Sequence, residues 1–148
     1  MAEIEITVHG APAPQGSKTR MPNGAMVESS KKVGPWRADV KAAAEATGSS
    51  MLLQPVGVEI QFRLARPRSH YRTGKDTSHL LTGTAPAHPK GKPDVDKLAR
   101  AVLDGLKAAG MYADDAQVID LRAVKAYALR GQPPGAVITI REIWEQEP

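Results

Sequence analysis

Between residues 56 and 64 the chain reads VGVEIQFRL, where Val56, Val58, Ile60, Phe62 and Leu64 alternate without a break against Gly57, Glu59, Gln61 and Arg63. A period of two puts all five apolar side chains on one face, so the segment is a strand covered on one side and hydrogen-bonded along its edges. The remaining sequence has to supply both the neighbouring strands and the cover.

Three further segments qualify as strands. Ile4, Ile6 and Val8 alternate with Glu3, Glu5 and Thr7; Ile119, Leu121 and Ala123 alternate with Asp120, Arg122 and Val124; AVITIREIW follows the turn RGQPPG. Two segments have helical spacing instead. Pro35 can open the first at its N1 position, and Trp36, Val40, Ala43 and Ala44 carry its apolar face until Gly48. In the second, from about Lys97 to Ala109, Leu98, Val102 and Leu106 flanked by Ala99, Leu103 and Ala109 form a stripe that Gly110 can end. Asp96 is expected at its N-cap. The order β-α-β-α-β-β predicts an α+β fold: a small mixed sheet of about four strands with two helices, in one domain spanning residues 1–148.

Two long connections interrupt this pattern. GAPAPQGSKTRMPNGAMVESSKK is too rich in Pro, Gly and Ser for a regular element, and residues 65 to 93 form a loop far longer than usual within a compact domain. Both are basic. Residues 10 to 37 carry five Lys/Arg against Glu28, and residues 65 to 93 carry six against Asp76, so a formal charge of +4 conceals basic loops on an acidic body. Loops of that sign suit a polyanion such as nucleic acid. The absence of cysteine excludes disulfides, cysteine nucleophiles and thiolate zinc sites. His70, His79 and His88 are spaced for no zinc pattern. No apolar run reaches the ~20 residues of a membrane helix, and the opening MAEIEITVHG has acids where an export signal is basic, so a cytoplasmic protein with no membrane partner is expected.

Within residues 92–118, KPDVDKLARAVLDGLKAAGMYADDAQV, four aspartates stand in two pairs: Asp94 with Asp96, and Asp114 with Asp115. Each pair alone could be a cap or a turn. A helix from Lys97 to Ala109 has ends ~20 Å apart. The strand that follows returns Asp115 to only one of those ends, and the sequence leaves open which. It also leaves open whether the pairs meet in one chain, across a dimer, or at all. Gathered carboxylates would need protons or a cation, and Mg²⁺ binds through one or two of them beside a phosphate. An EF-hand is excluded because, counting from Asp94, Ala99 and Gly105 fall where Gly and Glu are required. An acidic patch framed by basic loops suits metal-dependent phosphodiester cleavage.

The run KPDVDKLARAVLDGLKAAGMYADDAQV, with DLRAVKAY after it, resembles the RusA family of Holliday-junction resolvases, as do the opening strand with HGAPAPQGSKTR and the closing ITIREI. That resemblance implies a homodimeric, Mg²⁺-dependent endonuclease, with Mn²⁺ as a substitute, that nicks opposing strands of four-way junction DNA in recombination and repair. It implies a host-cytoplasmic setting for a phage-encoded member and no small-molecule organic cofactor. Carried over by position, Asp94, Asp96 and Asp115 are the essential acids and metal ligands, with Asp114 beside them. Arg100 stands where the family has lysine and Lys97 where it has asparagine. Arg100 is the expected transition-state cation, its alternative being an exposed Asp96–Arg100–Asp104 ladder. Lys18, Arg20, Arg66, Arg68, Arg72 and Lys97 are the expected DNA contacts, and the second helix is the expected dimer surface. The alternative reading is a catalytically weak protein that binds branched DNA. A single-strand binder fits less well, because Trp36 and Phe62 occupy core positions rather than a stacking platform.

Overall fold

The computed structural model describes residues 3–16, 18–28 and 31–145. Among the described residues, six strands, β1 (Glu3–His9), β2 (Lys18–Arg20), β3 (Met26–Glu28), β4 (Val56–Leu64), β5 (Val118–Tyr127) and β6 (Gly135–Glu142), accompany two α-helices, α1 (Val33–Glu45) and α2 (Val95–Ala108). The principal sheet has the order β1-β6-β4-β5, and β5 runs parallel to β4 while the other pairs are antiparallel. The expected α+β architecture is therefore present. Among the described residues no helix is long and apolar enough to cross a membrane.

The alternation in β4 decides the packing. Val58 and Ile60 lie in register with Ile140 and Ile138 of β6, and Ile138 in turn with Ile6 of β1. All of them are buried together with Trp36 and Val40 of α1 and Leu98, Val102 and Leu106 of α2, so both helices cover one face of the sheet. The opposite face is polar. There Arg141 on β6 reaches across β4 to Asp120 on β5 at 2.5 Å, passing over Gly57, where a Cβ would stand 2.1 Å from the Arg141 Nη1. Glycine at position 57 is what lets the guanidinium cross.

Several sequence expectations are corrected. The first connection is not wholly irregular: β2 and β3 pair as a small hairpin, closed by Met21 N–H donating to the Ala25 carbonyl at 2.8 Å. Pro35 lies within the first turn of α1 rather than at N1, because the helix begins at Val33. Helix α2 begins two residues earlier than expected, so Asp94 is its N-cap residue and Asp96 belongs to its first turn. Its C-terminus follows the expected glycine signal: Gly110 has φ +77°, its N–H donates to the Lys107 carbonyl, and Met111 N–H donates to that of Leu106. The apolar stripe of α2 is consumed inside the chain, with Leu98, Ala101, Val102 and Leu106 fully buried, so that stripe cannot also be a dimer surface.

Where α1 crosses α2, Gly105 takes the place of a side chain: a Cβ there would lie 2.8 Å from Val40 Cγ1 and 3.2 Å from the Arg37 carbonyl. Gly105→Ala is expected to destabilise the fold by about 1–3 kcal/mol through overpacking, despite the better helix propensity of alanine. Combining it with Val40→Ala should cost less than the two single losses added, which denaturant unfolding of the four proteins measures.

Candidate functional site

Helix α2 presents its two ends very differently. Asp94, at the N-cap, has extended backbone dihedrals, yet its carboxylate makes no cap hydrogen bond; it lies 3.4 Å from Lys97 in an exposed pair. Asp96 is exposed in the first turn, where the positive end of the helix dipole favours a carboxylate. The capping explanation of this first pair therefore does not describe how Asp94 is used.

Asp114 behaves otherwise. Its carboxylate accepts from Ala116 N–H at 2.9 Å and forms a capping box with Gln117, so the turn explanation holds for it. Gln117 is the hub of this turn. Its Oε1 accepts from the N–H groups of Ala113 and Asp114, and its Nε2 donates to the carbonyls of Leu52 and Gln54. All four hydrogen-bonding positions of the amide are filled, and Asp115 remains exposed beside it.

Tyr112 locates Asp115 relative to the helix. It is fully buried, its hydroxyl donates to the Leu103 carbonyl at 2.9 Å, and burial, followed by the negative charges of Asp115 and Asp104, raises its pKa well above the ordinary 10.0. Asp115 thus lies at the C-terminal half of α2. The other end of β5 is tied to the opposite end of the helix, where Lys125 Nζ donates to the carbonyls of Gly91 (2.5 Å) and Pro93 (2.7 Å), just before Asp94. Strand and helix run antiparallel. Along α2 the 7–10 residues from Asp96 and Asp94 to Leu103 and Asp104 hold Asp115 roughly 10–15 Å from the first pair, at 1.5 Å per residue. Consistently, among the described residues no three carboxylates or imidazoles converge closely enough to hold a metal ion. One chain offers Asp94 and Asp96 to a cation; it does not bring Asp115 to them.

Arg100 is exposed on α2, and the Asp96–Arg100–Asp104 ladder is not formed. Asp104 instead accepts from Gln15 Nε2, while Gln15 Oε1 accepts from Arg37 at 2.9 Å and Gln15 N–H donates to the Lys97 carbonyl. Gln15 so fastens the first basic connection onto α2. The next residue, Gly16 (φ +99°), lies against Arg100, whose Nη1 would be 2.9 Å from any Cβ there. Lys18 and Arg20 follow on the exposed hairpin strand β2. In the second loop, Arg66 donates to the Pro86 carbonyl at 2.7 Å and stacks 4.3 Å above the Tyr127 ring, which also meets His70 edge-on. Arg72 braces the Leu81 carbonyl, and Arg68 is exposed in a short 3₁₀ turn. Sequence reasoning missed the work of Gln15, Gln117, Tyr112 and Lys125. Only Lys125 carried a local signal, a charge in the apolar phase of a strand.

The raised pKa of Tyr112 has a stability consequence. The folded protein keeps this hydroxyl protonated while the unfolded chain releases its proton near pH 10, so the contribution is complete below that pH and is lost as pH rises beyond it. Unfolding measurements from pH 9 upward should show an alkaline slope that Tyr112→Phe reduces by up to about 1.4 kcal/mol per pH unit. At neutral pH the same variant should lose about 1 kcal/mol with its hydrogen bond to Leu103.

The sequence profile of the family described as endodeoxyribonuclease RusA matches residues 9–141. The chain is also 28% identical over 143 residues to an uncharacterized protein, YqaN, of Bacillus subtilis (strain 168), covering 95% of this chain and 96% of that one.

Proposed function

The chain belongs to the RusA endodeoxyribonuclease family, and from that premise we propose that it resolves four-way DNA junctions by Mg²⁺-dependent paired nicking, as a homodimer, in recombination and repair. The observation that carries this reading is the state of Asp94 and Asp96. Both are exposed at the positive end of α2, the Asp94 carboxylate is not consumed by capping, and both basic connections reach this helix, one through Gln15 and one through Pro93. Bound there, Mg²⁺ or Mn²⁺ would polarise a phosphate and lower the pKa of a water. The protein's own part is to hold the acids beside phosphates that Lys18, Arg20, Arg66, Arg68, Arg72 and Lys97 attract. Arg100, facing the same side, supplies a fixed cation for charge developing in the transition state.

The edge strand β5 supports the dimer. Among the described residues it pairs with β4 alone, and Ile119, Leu121 and Val124 are exposed along it by 61%, 45% and 42%. A long, apolar, unpaired edge invites another strand. Antiparallel pairing of β5 with its two-fold mate would set the start of one strand against the end of the other. Asp115 of one copy would then approach the Lys125–Asp94 end of its partner, joining carboxylates that a single chain keeps apart.

Asp94→Asn, Asp96→Asn and Asp115→Asn are each expected to abolish metal-dependent nicking of a synthetic four-way junction while binding stays equal or tightens, since a repulsion toward phosphate is also removed. Gel assays with Mg²⁺ or chelator, beside a matched linear duplex, measure both. Mixing Asp94→Asn with Asp115→Asn protein should restore single nicks if the site is shared between copies, and should leave it silent if each chain is self-sufficient. Junction binding without any metal-dependent nick in the parent would favour the weak-catalyst reading.

Arg100→Ala should lower the single-turnover nicking rate by roughly 10²-fold, with a smaller effect on junction affinity. Arg100→Lys should recover much of it. An unchanged rate in Arg100→Ala would remove this residue from the reaction.

A further inference from the structure

On the helix-covered side of β5, Leu121, Ala123, Lys125 and Tyr127 stand in register with Val58, Ile60, Phe62 and Leu64 of β4, all four of which are buried. Three of these β5 positions carry an apolar or aromatic side chain. The fourth is a half-buried lysine opposite Phe62, a residue only 1% exposed. A methylene chain of this length packs there without a charge, so the ammonium needs its own account: partial burial of a cation is unfavourable unless donors are satisfied. Its Nζ meets that condition with two charge-assisted bonds, to the carbonyls of Gly91 and Pro93. Those carbonyls belong to the last three residues of the connection that begins at Ala65, immediately before Asp94.

We infer that Lys125 is a positioning residue for Asp94: by gripping Gly91 and Pro93 from the edge strand, it fixes the direction in which the first carboxylate leaves the N-terminus of α2. The inference rests on the proposed nuclease reading. Among the described residues no other hydrogen bond holds this three-residue segment: the nearest are Lys90 N–H to the His88 carbonyl, before it, and Leu98 N–H to the Asp94 carbonyl, inside the helix. The long loop would otherwise transmit its own freedom to the N-cap. A reacting geometry displaced by about 1 Å can lose on the order of 10² in rate, whereas folding, which depends on the buried stripe of α2, is affected little.

Two variants and two measurements test this. Lys125→Met keeps the length and packing of the stem but has no donor; Lys125→Arg retains donors for both carbonyls. Lys125→Met is expected to lower single-turnover junction nicking by about 10²-fold, to move the backbone amide resonances of residues 91, 92 and 94–96, and to leave those of residues 98–108 in place. Lys125→Arg should recover most of the rate and the parental resonances. The inference is overturned if Lys125→Met nicks at the parental rate, or if its rate falls while the amides of 91, 92 and 94–96 do not move. If Lys125→Met perturbs α2 throughout, the Lys125→Arg protein decides: parental resonances without recovered nicking would also overturn it. A parent that cuts no junction would refute the nuclease reading, and the resonance shifts would still report whether Lys125 holds the N-cap.

Discussion

Burial of the α2 stripe against α1 and the sheet is the constraint from which the rest of the molecule follows. Leu98, Ala101, Val102 and Leu106 are all fully removed from solvent, and Gly105 allows α1 to approach within a methyl group's reach. A helix fixed along its length has two fixed ends. One carries Asp94 and Asp96, and the other leads through the Gly110 stop to Asp114 and Asp115. Because β5 must then run back beside α2 to pair in parallel with β4, the two acidic pairs are held apart on one packed unit.

Hydrogen bonding sorts the carboxylates that this unit carries. Asp114 is engaged by Ala116 N–H and Asp104 by Gln15, while Asp120 is paired with Arg141 on the far face of the sheet. Asp94, Asp96 and Asp115 stay exposed, Asp94 beside Lys97 and Asp115 beside the Tyr112 hydroxyl, and exposure is the condition a charged group needs if it is to meet a cation or a phosphate. Two glutamines do most of the sorting. Gln15 and Gln117 each connect segments far apart in sequence, as a neutral side chain with both donors and an acceptor can and a carboxylate cannot.

The two edges of the sheet differ in a way that matters for assembly. On β1, Glu3 and Glu5 place charge along the strand, a common protection against unwanted pairing. On β5 the exposed side chains include Ile119, Leu121 and Val124, and the strand is ten residues long. The proposed homodimer would cover the unprotected edge and leave the protected one free.

Much of the fold was legible because its signals are local. The period-two runs in β1, β4 and β6, the 3.6-residue stripe of α2 and the glycine after it each depend on neighbours a few residues away, and each forms where the pattern predicts. The acidic positions and the resemblance they carry were equally plain in the residues themselves. Local pattern could not decide between Asp94 and Asp96 as the N-cap, nor separate Asp114, held in its turn, from exposed Asp115, because each choice rests on which hydrogen bonds the folded chain completes. Nor could it see Gln15 reaching Asp104 across 89 residues, or Lys125 reaching Pro93 across 32. Sequence by itself determined the four principal strands, the two helices and which acids are present, but not the short β2–β3 hairpin. Only the tertiary structure decided that Asp115 lies against the C-terminal half of α2, away from Asp94 and Asp96, because the direction in which β5 returns is set by packing and strand pairing rather than by any residue in the turn.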